Sequence, residues 1–364
     1  MGFSCGIVGL PNVGKSTLFN ALTAAGAAAE NYPFCTVEPN HGVVPVPDAR
    51  LQRVADCVPH DKVTPTALKF VDIAGLVAGA AQGEGLGNQF LGQIQAVDAV
   101  VHVVRCFADD NVAHVYTSVD PARDAGVVET ELTLRDLEVV ERRLERQTKV
   151  AISGDAEAKA EVAVLERLQR ELARGRPARD LQLTAAERER LAANPLLSAK
   201  PVLYAANIDD DQIGRPGPAV ERLRELAAEQ GAGCVMVSAR TEAELEELEP
   251  EERPAFQQEL GLAQRGLDQL VQAGYRLLEL VTFFTTAGTE VRAWTVPAGT
   301  PAARAAGRIH SDMERGFIRA EVIPAADLIG FGSEAAARDR GAIRSEGRDY
   351  AVRDGDVIRF RFNV

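Results

Sequence analysis

Gly9-Leu10-Pro11-Asn12-Val13-Gly14-Lys15-Ser16-Thr17 reads G-x-x-x-x-G-K-S, the pattern of a phosphate-binding loop. Before it, Cys5-Gly6-Ile7-Val8 is a short apolar run suited to a buried strand. After it, Leu18, Phe19, Leu22 and Ala25 recur at helical spacing. Strand, glycine-rich loop and helix start together surround a polyphosphate with backbone N–H groups and a positive helix end. Asn12, Val13, Gly14, Lys15, Ser16 and Thr17 are therefore candidate nucleotide-binding residues. Lys15 is expected to reach the β- and γ-phosphates and to stabilise the transferring phosphoryl group, and the Ser16 hydroxyl to ligate Mg²⁺.

The signals downstream come in the order a nucleotide switch requires. Thr36, in Tyr32-Pro-Phe-Cys-Thr36, lies ahead of a strand expected at Gly42–Val46 and is a second candidate Mg²⁺ ligand. The apolar run Leu68–Val71 ends in Asp72-Ile-Ala-Gly75, a D-x-x-G motif 57 residues after Lys15. Asp72 is expected to hold Mg²⁺ through water, and the Gly75 N–H to meet the γ-phosphate. Leu76 follows, where Ras-type GTPases carry the Gln that orients the attacking water, so hydrolysis is expected to be slow. Gly79, Gly83, Gly85 and Gly87 then make a pliable candidate switch loop. His114, behind the strand Ala99–Val104, is either a catalytic group near the phosphates or a structural histidine.

The base end comes last. The strand Pro201–Ala206 runs into Asn207-Ile208-Asp209-Asp210, in the place of N-K-x-D. Asn207 is expected to brace the base loop. Asp210 suits guanine, whose N1–H and amino group donate, while Ile208 replaces the usual Lys. Ser238-Ala239, after the strand at Val235, completes the base side.

Composition bounds the rest. The chain has 364 residues, 46% hydrophobic and 26% charged, enough for two or three domains. It lacks an 18-residue apolar run and a basic leader, so neither a membrane span nor a secretory signal is expected. Five scattered cysteines without a C-x-x-C pair argue for a reduced, cytosolic protein and against zinc. The net charge of −13 argues against a nucleic-acid partner for the whole chain, but Thr282–Val364 carries 12 Arg against 11 acids.

Glu129 to Arg174 repeats Leu and Val at threes and fours among dense Glu and Arg, with a break at Ser153-Gly154-Asp155. This predicts an antiparallel helical hairpin projecting from the nucleotide domain, either a solvated stalk or an arm for a macromolecule. Thr184-Ala-Ala-Glu187 is a capping box for a short return helix. The last segment reads as its own unit: strands at Thr282–Thr285 and Val291–Val296, a capped helix within Thr300–His310, and a closing strand Val357–Val364. Arg308, Arg315, Arg319, Arg359 and Arg361 form either a basic face for RNA or ordinary surface arginines balanced by acids.

Taken together, Gly9–Ser16, Tyr32–Thr36, Asp72–Val77, Gly83–Phe90, His102-Val-Val-Arg-Cys-Phe107, Gly307–Asp312, Gly316–Val322, Asp354–Ile358 and Phe362-Asn-Val364 resemble the YchF group of the Obg-like ATPases, nearly end to end. The resemblance implies an α/β fold in three parts. These are a Ras-like P-loop domain (1–128 and 200–280), an inserted helical hairpin (129–199) and a C-terminal TGS domain of β-grasp type (281–364). It implies a slow, Mg²⁺-dependent ATPase, a hydrophobic residue in place of the catalytic Gln, and a catalytic role for His114. It also implies a monovalent cation site at Asn12, hence K⁺ stimulation, and binding to the ribosome or its RNA in the cytoplasm. A monomer is assumed. The family's base motif ends in Glu where this chain has Asp210, so the resemblance favours ATP while the local chemistry leans to GTP. An Obg-type GTPase and a nucleotide-gated binding module with incidental turnover are the rival readings.

Overall fold

The apolar runs of the nucleotide half become strands buried on both faces. The computed structural model describes residues 2–27, 40–73, 92–116 and 118–363. Its first sheet has the order β2 (His41–Pro45), β4 (Ala67–Asp72), β1 (Ser4–Val8), β5 (Ala99–Arg105), β6 (Val202–Asn207), β7 (Gly233–Val237). Only β2 runs antiparallel. Every residue of β1, β5 and β6 is buried, as parallel strands covered by helices require. α1 (Lys15–Ala27) follows β1 and buries Leu18 and Leu22 in this core. This is the α/β P-loop architecture expected, with the loops at the carboxyl ends of β1, β5 and β6 converging on one edge.

The hairpin is present and its root lies deeper than expected. α3 spans Pro121–Ala151 and α4 spans Ala156–Leu172. Gly154 takes φ 98 at the turn, and Asp155 caps α4 by accepting from the N–H groups of Glu157 and Ala158. The expected boundary at 128/129 is corrected: Asp120 is the N-cap and Pro121 stands in the first turn. Ala125, Val128 and Leu132 pack in the nucleotide core, whereas Val140, Val164, Leu165, Leu168 and Leu172 form the arm's own core. One unbroken helix therefore joins the two. The Thr184–Glu187 capping box opens α5 (Ala185–Leu191) as expected.

α6 (Pro218–Glu229), α7 (Ala239–Glu247), α8 (Arg253–Glu259) and α9 (Gly266–Leu277) lead to a second, mixed sheet. Its order is β11 (Arg344–Glu346), β10 (Phe317–Pro324), β12 (Asp356–Phe362), β8 (Leu280–Ala287), β9 (Glu290–Pro297), β3 (Lys62–Thr64). α10 (Ala302–Ile309) packs Ala302, Ala305 and Ala306 on one face. The helix expected there forms, but without a side-chain cap: Pro301 is its N-cap, and Thr300 Oγ1 turns back to the Pro297 carbonyl, 2.6 Å away.

The last strand of that order departs from the expected partition. β3 comes from the nucleotide half and pairs parallel with β9, Lys62 opposite Glu290 and Thr64 opposite Arg292. Just before it, α2 (Ala49–Ala55) buries Leu51, Val54 and Ala55 against Phe284, Val291, Ala293 and Leu328. Arg50 adds an ion pair to Asp354 at 2.6 Å. The excursion between β2 and β4 thus completes the C-terminal domain, so 1–128 and 281–364 are not separate units. The partners of Thr64 and Thr66 lie more than 220 positions away.

Candidate nucleotide site

The loop after β1 is held open by two backbone positions and one amide. Asn12 and Gly14 take φ 61 and 89, where Gly costs nothing and Asn little. A Cβ on Gly14 would collide with the Asn207 amide. Asn207, 4% exposed at the end of β6, donates through Nδ2 to the Val13 carbonyl at 2.8 Å. Its Oδ1 accepts from the Ala239 N–H at 3.0 Å. The expected brace therefore ties the P-loop to the Ser238-Ala239 loop. Val13, 1% exposed, anchors the turn below.

Lys15, at the first turn of α1, forms an ion pair with Asp72 at the end of β4. Asn12, Ser16 and Thr17 are exposed above them. The result is a cleft of about 750 Å³ lined by Asn12, Lys15, Phe107, Asn207, Ile208 and Arg240 among others. Its volume suits a nucleotide.

At the base end, Ile208 is 5% exposed, and its N–H is held by the Val237 carbonyl at 3.0 Å. Asp210 does not line the cleft; its neighbour Asp209 does. Asp210 Oδ1 accepts from Ser238 Oγ at 2.6 Å and from the Thr241 hydroxyl. Its Oδ2 stands 4.0 Å from Arg240, which also approaches Asp209 at 3.6 Å and Asp109 at 3.9 Å. Arg240, overlooked in the sequence, thus spans the mouth between the base loop and the loop after β5. Three carboxylates around one cation were not foreseeable when Asp109 lies 131 positions from Arg240.

Ser16 and Asp72 present hard oxygen donors on the phosphate side, the chemistry Mg²⁺ selects, and the Lys15 contact shows that the Asp72 carboxylate faces the P-loop. The residues present fit the ion. Thr36, Gly75, Leu76 and the candidate switch loop with Gly79, Gly83, Gly85 and Gly87 lie outside the described residues. Asn12 Nδ2 donates to the Ala113 carbonyl at 3.0 Å.

His114 is not brought to the cleft lining. Its Nε2 is 2.9 Å from Asp124 at the start of α3, and its Nδ1 accepts from the Tyr116 N–H at 3.0 Å. Both ring nitrogens are therefore engaged. Burial pushes Cys5 and Cys106 up to about 12, so neither is a thiolate nucleophile at neutral pH.

The C-terminal arginines are mostly neutralised. Arg319 and Arg361 both meet Glu321, at 3.2 and 3.0 Å. Arg359 meets Glu334 at 3.0 Å and Arg315 pairs with Asp312. Arg308 lies over the Phe3 ring at 5.8 Å. The balanced-surface alternative describes these side chains better than a bare basic face.

Residues 4–149 match the family MMR_HSR1, described as a 50S ribosome-binding GTPase. Residues 280–363 match YchF-GTPase_C, described as a protein of unknown function (DUF933). Over all 364 residues the chain is 52% identical to the ribosome-binding ATPase YchF of Escherichia coli O157:H7, covering 100% of both chains. The chain belongs to the YchF family. The Bacillus subtilis (strain 168) member, also named a ribosome-binding ATPase, is 50% identical over 366 residues, again covering 100% of both. The solved structure of the Schizosaccharomyces pombe YchF GTPase is 35% identical, with a TM-score of 0.88 over 99% of this chain and 98% of that one. The YchF fold and P-loop NTPase activity stand for this chain. No helix among the described residues is long and apolar enough to cross a membrane.

Proposed function

We propose that the chain is a cytoplasmic, Mg²⁺-dependent ATPase that binds the ribosome through its large subunit and acts in translation or stress regulation. The observation that carries this reading is the full-length identity to relatives named ribosome-binding ATPases. The cradle supports it: Lys15 and Asp72 meet at the phosphate side; Lys15 would reach the β- and γ-phosphates, and Ser16 and Asp72, with Thr36, would hold Mg²⁺, which would neutralise charge on the phosphate oxygens. Gly75 meets the γ-phosphate. Leu76 cannot orient water, so intrinsic hydrolysis is slow. A catalytic role for His114 requires its ring to leave Asp124. K⁺ at Asn12 stimulates turnover, and the chain acts as a monomer. The arm and the C-terminal domain supply the ribosome or RNA contacts.

The test is titration of the nucleotide-stripped protein with labelled ATP and GTP in Mg²⁺, with and without K⁺, followed by co-sedimentation with ribosomes. ATP tighter by tenfold, about 1.4 kcal/mol, supports the reading; GTP tighter by as much sinks it.

A GTPase is the second reading; the carboxylate type at Asp210 favours it, and reading guanine requires Asp210 to turn from Ser238 and Thr241. Asp210→Glu is expected to shift preference toward ATP if this side chain sets the base. Replacing Lys15 tests the third reading, a nucleotide-gated binding module. Ribosome association that survives loss of nucleotide binding is not gated by nucleotide.

A further inference from the structure

Arg105 closes β5 and is 2% exposed, the bulkiest fully buried side chain among the described residues. A buried guanidinium ordinarily pairs with a carboxylate. Arg105 has none within ion-pair distance among the described residues and uses backbone instead. Nε donates to the Phe107 carbonyl at 3.2 Å, and the two terminal nitrogens donate to Val112 at 2.9 Å and Asp109 at 2.9 Å. Its guanidinium carbon lies 4.4 Å from the centroid of the Phe107 ring.

All three carbonyls belong to one loop, and all three of those residues line the nucleotide cleft. The next residue, Ala113, accepts from Asn12 of the P-loop, and Asn12 sits at φ 61. A fork with fixed geometry joins the core strand, through one loop, to the phosphate cradle.

We propose that Arg105 is a positioning residue of the nucleotide site, setting the wall 107–113 and through Ala113 the Asn12 amide. This rests on the cleft being the nucleotide site. Arg105 touches neither base nor phosphate. It acts by pre-forming the wall, so that binding does not have to order its seven residues.

The test uses the full chain with Arg105→Lys. Lysine keeps the charge and three donors but has no planar fork to reach three fanned carbonyls. The nucleotide is whichever of ATP or GTP the unmodified protein binds more tightly. Its Kd and KM are expected to rise about tenfold, kcat at saturation to stay within about threefold, and Asn12→Ala to add little in that background. Amides 107–114 are expected to exchange at least tenfold faster, with the rest of the first sheet unchanged. An unchanged Kd, or a fall in kcat with KM unmoved, overturns the proposal. Should the variant not fold, the unmodified protein decides. Amides 107–114 protected before nucleotide is added support a preformed wall; protection gained only on binding overturns it. If neither nucleotide binds, the functional reading fails, while the exchange experiment still judges Arg105.

Discussion

Lys15 and Asp72 are paired across the phosphate cradle, joining two motifs 57 residues apart. Their side chains are 11% and 18% exposed, so each covers the other's charge where water is scarce. Lys15→Ala is expected to weaken nucleotide binding at least a hundredfold. It also costs about 2 kcal/mol of stability, because Asp72 is left half-buried without its cation. Adding Asp72→Asn should recover much of the stability and none of the binding. Denaturant melts and nucleotide titrations read the two effects separately, and equal losses of both in the double variant would contradict this account.

Asn207 links the P-loop to the Ala239 loop with two buried hydrogen bonds. Asn207→Ala leaves the Val13 carbonyl and the Ala239 N–H without partners. The expected cost is about 2–4 kcal/mol in urea unfolding, with nucleotide affinity falling at least tenfold. A variant as stable as the parent would show that the brace is dispensable.

Leu51 belongs by sequence to the nucleotide half and by packing to the C-terminal core. Leu51→Ala should cost about 2–4 kcal/mol, with faster proteolysis appearing in β8–β12 as well as around α2. For the same reason residues 280–364 expressed alone should unfold without a cooperative transition. A sharp melt of that fragment would remove the claim that α2 and β3 complete the domain.

His102 is buried in β5 beside Tyr204, ring centroids 5.5 Å apart. Desolvation, helped by the Arg179 charge, lowers its pKa from 6.5 to about 3. The native state therefore holds His102 neutral, while the unfolded chain takes up a proton below pH 6.5. The stability contribution is full above 6.5 and is lost as pH falls toward 3. The loss is about 2 kcal/mol between pH 6.5 and 5. His102→Gln should flatten that slope by about one proton in pH-dependent urea melts; an unchanged slope would assign the acid sensitivity elsewhere.

The chemistry of the phosphate end was legible because each motif is short and carries its own physics. Gly14, Lys15 and Ser16 are adjacent, and Asp72 ends a strand whose apolar run is plain. The arm was legible through leucines at threes and fours, although its helix begins at Pro121, ahead of that pattern. Only packing reveals that Ala125, Val128 and Leu132 continue the helix into the nucleotide core. The arginines of the last segment could not be judged from composition. Glu321 and Glu334 reach them across strands and a helix.

The sequence by itself determined the P-loop order of elements, the inserted hairpin and the second β domain. Those follow from local spacing, which one stretch of chain carries entire. Tertiary structure alone decided three other matters. Residues 49–64 complete a sheet whose other strands begin at 280. Arg105 spends its fork on one wall of the cleft. Asp210 gives one carboxylate oxygen to Ser238 and Thr241 instead of the cleft. Each depends on distant or non-periodic partners, and hydrogen bonds and burial between such partners leave no period in a sequence to be read.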